Sequence, residues 1–237
     1  MPGGRTAILF FTHRPEREWK NKQFVRDDYA KHRRVAQAFY EHSRQAVVES
    51  DLPVVEVNRA QQRGGSFGAR LSNAFADAFA RGYDHVIAVG SDCPRLHEVD
   101  WTTVAEDLED GVPVLGPTPH QSGAYLIGIP RAQFEREAFA ALPWKTSALF
   151  SALADHLTDA AGTAPARLAP RGDINNHDDL VVCLRGDDLL PSSLRGRLRT
   201  VLGAARPERR TRGSRSRRFV TREQPRAPPT LRVPPRP

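Results

Sequence analysis

Asp92 is a residue whose type and position together suggest chemistry. It follows the apolar run His85–Val89 and two small residues, Gly90 and Ser91, and it precedes Cys93. A β-branched run of this length is typical of a strand buried on both faces of a parallel sheet. Open α/β sheets bind ligands beyond the carboxyl ends of their strands, so we expect Asp92 to face a metal bound to phosphate. The alternative is that Asp92 only caps a following helix.

A second group of side-chain oxygens comes late in the chain, at Asp173 and Asn175. Mg²⁺ typically takes one or two carboxylates and completes its shell with phosphate and water. Asp173 or Asn175 could therefore complete a metal site with Asp92, and Mg²⁺ or Mn²⁺ is the expected cofactor. The alternative is that Asn175 or Asn176 caps a helix beginning near residue 177.

Cations and glycines occupy two loops that should lie at the same edge of the sheet. Cationic side chains and exposed loop amides both favour phosphate. The spacing in the second loop, QQRGGSFGAR at residues 61–70, matches neither a dinucleotide fingerprint nor a Walker A loop. An ordinary loop before a helix capped by Ser66 is the alternative. The candidate nucleotide-binding residues are Lys20, Lys22, Arg63, Gly64, Gly68 and Arg70.

The hydrophobic pattern alternates between strand and helix along most of the chain. It predicts strands at residues 6–11, 53–58, 85–89, 112–115, 123–129 and 166–169. It predicts helices at residues 27–50, 69–81, 98–110, 131–141, 147–157, 177–184 and 187–202. Such alternation indicates an α/β fold of three layers with a mostly parallel, Rossmann-like sheet. We expect one domain at residues 1–204 and a disordered tail at 205–237, which is rich in Arg and Pro.

The formal net charge of +7 is unevenly distributed. Residues 195–237 contain 14 arginines and two glutamates, a net +12, which leaves −5 for the rest of the chain. Nucleic-acid binding is therefore expected, if at all, only through the tail.

Other features of the composition predict a cytoplasmic protein. No apolar run approaches the ~18 residues needed to span a membrane, and residues 6–11 fit a first strand better than a signal peptide. The two cysteines, Cys93 and Cys183, are far apart and fit reduced thiols. We interpret Cys93 as a small buried residue rather than a nucleophile.

Several short motifs occur in a characteristic order. They are QRG at 62–64, FGARL at 67–71, GSDCPRL at 90–96, LGP at 115–117, YLIG at 125–128 and PWKT at 143–146. Together they resemble radical-SAM/selenodomain-associated transferase 1, a bacterial domain-of-unknown-function family. That family is placed among glycosyltransferase-A-like (GT-A) proteins and is linked to arsenosugar biosynthesis glycosyltransferases. The resemblance covers about residues 6–184.

The resemblance implies a nucleotide-diphospho-sugar transferase fold that binds a nucleotide at the carboxyl edge of its sheet. Asp92 matches the acid that holds a divalent metal on the diphosphate in such folds. Asp173 and Asn175 fall where relatives carry an Asp-x-Asp-like turn, with Asn175 in place of the second acid. Asn can still ligate a metal through its carbonyl oxygen, but with less charge.

Two departures from the family pattern concern the substrates. Relatives carry a Pro-Gly…Lys-Thr-Arg-Leu loop near the N-terminus, for which Lys20 or Lys22 is an imperfect substitute here. Relatives commonly show Asp-Gly-Gly-Tyr before the strand at 125, where this chain has HQSGAY. The candidate acceptor-side residues are therefore His120, Gln121 and Tyr125, and the acid that the family pattern places on the acceptor side is missing.

The resemblance implies a metal-dependent, glycosyltransferase-like protein that uses a nucleotide-sugar donor. A nucleotidyltransferase on the same fold is one alternative, and a catalytically degenerate member that only binds a ligand is another. The sequence identifies no general base and no acceptor.

Overall fold

The computed structural model describes residues 4–12, 22–119, 123–186 and 189–203. The strands are β1 (Thr6–Phe11), β2 (Val54–Val57), β3 (His85–Val89), β4 (Val114–Pro117), β5 (Ala124–Pro130) and β6 (Ala166–Arg167). The helices are α1 (Tyr29–Val48), α2 (Phe67–Ala80), α3 (Trp101–Glu109), α4 (Arg136–Ala141), α5 (Leu149–Ala161), α6 (His177–Arg185) and α7 (Ser192–Leu202). The predicted tail lies outside the described residues, so the division into domain and tail stays a prediction.

The six strands form one sheet in the order β2-β1-β3-β5-β4-β6. Five of them run in the same direction, and β5 runs antiparallel to both of its neighbours. The start of β5 therefore lies at the same edge as the carboxyl ends of β1, β3 and β4. The predicted α/β fold with a mostly parallel sheet is confirmed.

Side chains alternate between the two faces of the sheet, as the strand period requires. In β1, Ala7 and Leu9 pack with apolar residues of α2, α4 and α5, whereas Ile8 and Phe10 pack with those of α1 and α3. All four side chains are fully buried. Helices thus cover both faces of the sheet, and α6 and α7 pack on the outer side of α1.

Capping side chains set the start of four helices. Asp28, Ser66, Asp100 and Asn176 each accept a hydrogen bond from a backbone N–H in the first turn of α1, α2, α3 and α6 respectively. The predicted caps at Ser66 and Asn176 are confirmed. Because Asp100 is the cap, α3 begins three residues later than predicted.

The alternative that Asp92 caps a helix is wrong. The first helical turn after it is the 3-10 turn Leu96–Glu98, which begins after Arg95 and has no side-chain cap. The carboxylate of Asp92 instead contacts Lys22 and the hydroxyl of Ser91.

Two further predicted helices, 131–141 and 187–202, begin well after their predicted starts. The segment 131–141 consists of the 3-10 turn Arg131–Gln133 and α4, with extended backbone at Phe134 and Glu135 between them. Phe134 stacks on Phe75 of α2, a tertiary contact that the helical period could not indicate. Helix α7 begins after Pro191, because proline disfavours helical backbone in the residue before it.

Among the described residues, no helix combines the length and the apolar character needed to cross a bilayer.

Candidate functional site

A cleft of about 1200 Å³ opens at the edge of the sheet where β1 and β3 end and β5 begins. Its floor is made by strand ends, and its walls come from α2, from the turn before α5 and from the segment before α6. The polar and charged side chains that line it are Thr12, Lys22, Arg59, Arg70, Ser91, Asp92, Cys93, Tyr125, Trp144, Lys145, Asp173 and Asn175. The position is the one that parallel α/β sheets use for ligands.

Asp92 and the segment 173–175 meet in this cleft. The backbone N–H of Ile174 donates to the carbonyl of Asp92 over 3.0 Å, which fixes the two segments against each other. The ammonium of Lys22 lies 2.5 Å from Asp92 Oδ2 and donates to the carbonyl of Ile174 over 3.2 Å. The side chain of Lys22 is 9% exposed and that of Asp92 is 37% exposed.

The environment of Asp173 favours a cation. Burial, and then the nearby negative charge of Asp92, raise the pKa of the Asp173 carboxyl to about 7. A positive ion between the two carboxylates would relieve their repulsion and displace the proton from Asp173. Hard oxygen donors of this kind suit Mg²⁺ or Mn²⁺.

The side chain of Asn175 also lines the cleft. Its backbone N–H donates to Asp179 Oδ2 over 2.8 Å, which orders the turn before α6. In the described part of the chain, no group of three or more His, Cys, Asp or Glu side chains could hold a metal. A cation here would therefore depend on ligand oxygens as well as on protein ones.

Two arginines line the cleft. No carboxylate among the described residues pairs with Arg59 or Arg70, and Arg70 Nε is buried without a hydrogen-bond partner there. Burial, and then the nearby charge of Arg59, lower the pKa of Arg70. A buried donor with no partner costs about 1–3 kcal/mol, so this wall of the cleft is suited to an anionic ligand.

Comparison with known proteins agrees with this architecture. Residues 27–146, half of the chain, match the family described as "Uncharacterized protein conserved in bacteria (DUF2064)". The chain belongs to the DUF2064 family. No curated protein matches it significantly.

One solved structure shows what the fold resembles. The crystal structure of a candidate nucleotide-diphospho-sugar transferase from Desulfovibrio desulfuricans G20 superposes with a TM-score of 0.61 at 21% sequence identity. The match covers 86% of this DUF2064 chain and 100% of the other. Rv0371c from Mycobacterium tuberculosis H37Rv matches with a TM-score of 0.44 at 15% identity, over 77% of this chain and 98% of that one.

The structure brings only part of the predicted nucleotide-binding set to the cleft. Lys22 and Arg70 line it, whereas Arg63, Gly64 and Gly68 do not. The guanidinium of Arg63 binds Asp77 of α2 through contacts of 2.6 and 2.7 Å.

Backbone conformation and packing explain why the two glycines of the predicted set are glycine. Gly64 has a left-handed φ of +130°. A Cβ at Gly68 would lie 2.5 Å from Trp144 Nε1 and nearer still to the carbonyl oxygen of Ala140. Gly68 is therefore required for the close packing of α2 against the end of α4 and Trp144.

The predicted acceptor-side residues are only partly described. His120 and Gln121 lie outside the described residues, as does Lys20 of the predicted nucleotide-binding set. Tyr125 lines the cleft, but its ring is nearly buried and its hydroxyl donates to the carbonyl of Ala169 over 3.1 Å. Gly116 makes room for this ring, since a Cβ there would lie 2.5 Å from Tyr125 Cζ.

Six of the polar and charged cleft residues were not predicted as site residues, namely Ser91 and Cys93 beside Asp92, and Thr12, Arg59, Trp144 and Lys145. Thr12 and Arg59 each follow the end of a parallel strand closely, so the rule that selected Asp92 could have found them. The hydroxyl of Thr12 is buried without a hydrogen-bond partner in the described part of the chain. Trp144 and Lys145 are held against Phe67, with a ring centroid distance of 5.4 Å and an ammonium-to-ring distance of 5.7 Å. No local pattern reveals these two contacts.

Cys93 lies at the bottom of the cleft and is 3% exposed. Burial raises the pKa of its thiol to about 12. The thiol therefore stays protonated near neutral pH, which favours the interpretation of Cys93 as a small buried residue.

Proposed function

We propose that this protein transfers a glycosyl group from a nucleotide-diphospho-sugar donor to an acceptor, with the help of a divalent cation. The observation that carries the proposal is the arrangement of charge in one cleft. Arg59 and Arg70, which pair with no carboxylate in the described part of the chain, form one part of the wall, and the acids Asp92 and Asp173 form another. A diphosphate with its metal ion has a complementary arrangement of charge.

The carboxylates of Asp92 and Asp173 and the amide oxygen of Asn175 would hold Mg²⁺ or Mn²⁺. The ion supplies positive charge to the diphosphate when both are bound. These three residues fit the ion because their oxygens are hard donors. Burial, and then the charge of Asp92, raise the pKa of the Asp173 carboxyl, and a nearby cation would stabilise its charged form. With Asn175 in place of an acid, we expect weaker metal binding than a site of three carboxylates would give.

The cationic side chains would bind the phosphates of the donor. Arg70 and Arg59 would contact phosphate oxygens and stabilise the negative charge that develops on the leaving nucleoside diphosphate. In this step the acceptor oxygen bonds to the anomeric carbon as the bond from that carbon to the phosphate oxygen breaks. The nucleoside diphosphate leaves with the electron pair of that bond, and the acceptor's hydroxyl proton passes to water. Tyr125, with His120 and Gln121, would border the acceptor.

The family subgroup, the cellular location and contact with nucleic acid are further parts of this proposal. The motifs shared with radical-SAM/selenodomain-associated transferase 1 support membership of that group within DUF2064, and a relationship to arsenosugar biosynthesis glycosyltransferases. We further propose a cytoplasmic location, and that any contact with nucleic acid is confined to the tail.

Isothermal titration calorimetry tests the proposal. The full chain is titrated with UDP-, GDP-, CDP-, dTDP- and ADP-sugars and with the four nucleoside triphosphates, each with and without Mg²⁺ or Mn²⁺. We expect one nucleotide sugar to bind, and to bind more tightly with metal. Preference for a nucleoside triphosphate would favour nucleotidyl transfer instead, and absence of binding to every ligand would refute both. A sugar donor that binds but is never consumed, by transfer or hydrolysis, would favour a degenerate binding protein.

A further inference from the structure

Lys22 is a buried cation in contact with the carboxylate that the proposed metal would need. Its ammonium lies 2.5 Å from Asp92 Oδ2 and 3.2 Å from the carbonyl oxygen of Ile174, and only 9% of its side chain is exposed. These two oxygens belong to the segments that form the predicted metal site. The ammonium therefore takes up oxygen donors at that site in the protein without ligand.

A positive charge in this position opposes the binding of a free divalent ion. The ion must approach Asp92 against the repulsion of the ammonium, or displace the ammonium from a partly buried environment where charges interact more strongly than in water. A diphosphate removes both obstacles, since its oxygens offer the ammonium new partners. Lysine suits such an exchange because its ammonium is a compact charge on a flexible stem.

We propose that Lys22 is an internal counter-cation that keeps free divalent ions out of the Asp92 site, so that the cleft takes its metal together with a nucleotide diphosphate. On binding, the Lys22 ammonium passes from Asp92 to a phosphate oxygen, which leaves the Asp92 carboxylate able to hold the metal. This inference rests on the proposed function, and it names the ligand of the cleft as a metal–nucleotide complex.

The direct test measures Mn²⁺ binding to the full chain without nucleotide, by electron paramagnetic resonance of the free ion. We expect weak binding to the wild type and at least about tenfold tighter binding to Lys22→Met, because the repelling charge is gone. Lys145→Met is the matched control, since it removes an ammonium from the same cleft that lies over Phe67. It should leave Mn²⁺ affinity nearly unchanged.

A second comparison locates the ion. The double variant Lys22→Met/Asp92→Asn should lose the gain in affinity, and a gain that persisted would overturn the assignment to Asp92. Lys22→Arg keeps the charge and should remain a weak Mn²⁺ binder. Circular dichroism verifies that each variant is folded; if Lys22→Met fails this test, Lys22→Gln replaces it.

The Mn²⁺ affinity of the wild type can also overturn the inference. If Mn²⁺ binds it as tightly without nucleotide as with the nucleoside diphosphate of the preferred donor, or as tightly as it binds Lys22→Met, then Lys22 does not exclude the ion. These results differ from failure of the proposed function, which would appear as absence of nucleotide binding in calorimetry whatever the Mn²⁺ affinities are.

Discussion

Substitution of Gly68 by alanine distinguishes a packing role from a phosphate-binding role for this glycine. The added Cβ would lie 2.5 Å from Trp144 Nε1, where ordinary contact begins at 3.4 Å, and nearer still to the backbone oxygen of Ala140. Neither neighbour can move freely, because one is backbone and Trp144 Nε1 donates to the carbonyl of Phe139 over 2.9 Å. Overpacking a well-packed site typically costs about 1–3 kcal/mol, and we expect the upper half of that range.

Thermal unfolding monitored by circular dichroism gives the measurement. A loss of about 2–3 kcal/mol in a chain of this size corresponds to a decrease of roughly 4–12 °C in Tm. Gly65→Ala is the matched control from the same loop, because a Cβ at Gly65 meets nothing within 4 Å and its φ is not left-handed. That variant should stay within about 0.5 kcal/mol of the wild type.

The opposite result would refute the packing argument. If Gly68→Ala is as stable as Gly65→Ala but loses affinity for the nucleotide sugar, then the backbone at Gly68 contacts the ligand. Loss of stability together with weaker ligand binding would fit displacement of Trp144, which is itself part of the cleft wall.

Three further predictions concern charge and ionisation. Arg70→Ala should weaken binding of the donor at least about tenfold in calorimetry without lowering Tm, because the guanidinium has no carboxylate partner among the described residues; a large loss of stability would contradict this. Glu98 contacts Arg95 and Arg171, and its pKa is lowered to about 2, so its contribution to stability is present above pH ~4.5 and is lost as the pH falls towards 2. Denaturant titrations at pH values in this range give the free energy of unfolding, which should decline less steeply with falling pH for Glu98→Gln than for the wild type. Parallel curves for the two proteins would contradict the assignment. Cys93 should resist iodoacetamide at pH 8 in the folded protein and react after unfolding, as followed by mass spectrometry; rapid reaction would show that the thiol is accessible.

The strand at His85–Val89 and the position of Asp92 beyond it could be predicted because both depend on local pattern. A buried strand needs a short apolar run, and the topology of parallel sheets places the loop after each strand at one edge. The antiparallel direction of β5 was not predicted. A signal for it exists, since the connection from Pro117 to Ala124 is too short for the crossover of a dozen or more residues that a parallel strand requires.

The contacts that give the cleft its chemistry could not be predicted in the same way. The ammonium of Lys22 meets the carbonyl of Ile174, a residue 152 positions away, and no sequence period links the two. Gly64 and Gly68 were predicted to bind nucleotide but do not line the cleft, for a related reason. The sequence alone cannot distinguish a glycine that contacts a ligand from one that contacts a tryptophan. Only the tertiary neighbours of Gly68 show which of the two it is.

The pairing of early and late segments has a consequence for biosynthesis. Asp92 is held by Ile174, and Gln23 forms an isolated bridge with Asn176, so the site joins parts of the chain made at very different times. At roughly 5–20 residues per second, translation takes about 4–16 s to proceed from Asp92 to Asp173. During that interval the emerging chain can already form its first three strands, but it has no second carboxylate beside Asp92. A ribosome-bound nascent chain should therefore acquire its ligand site last, after most of the sheet has formed.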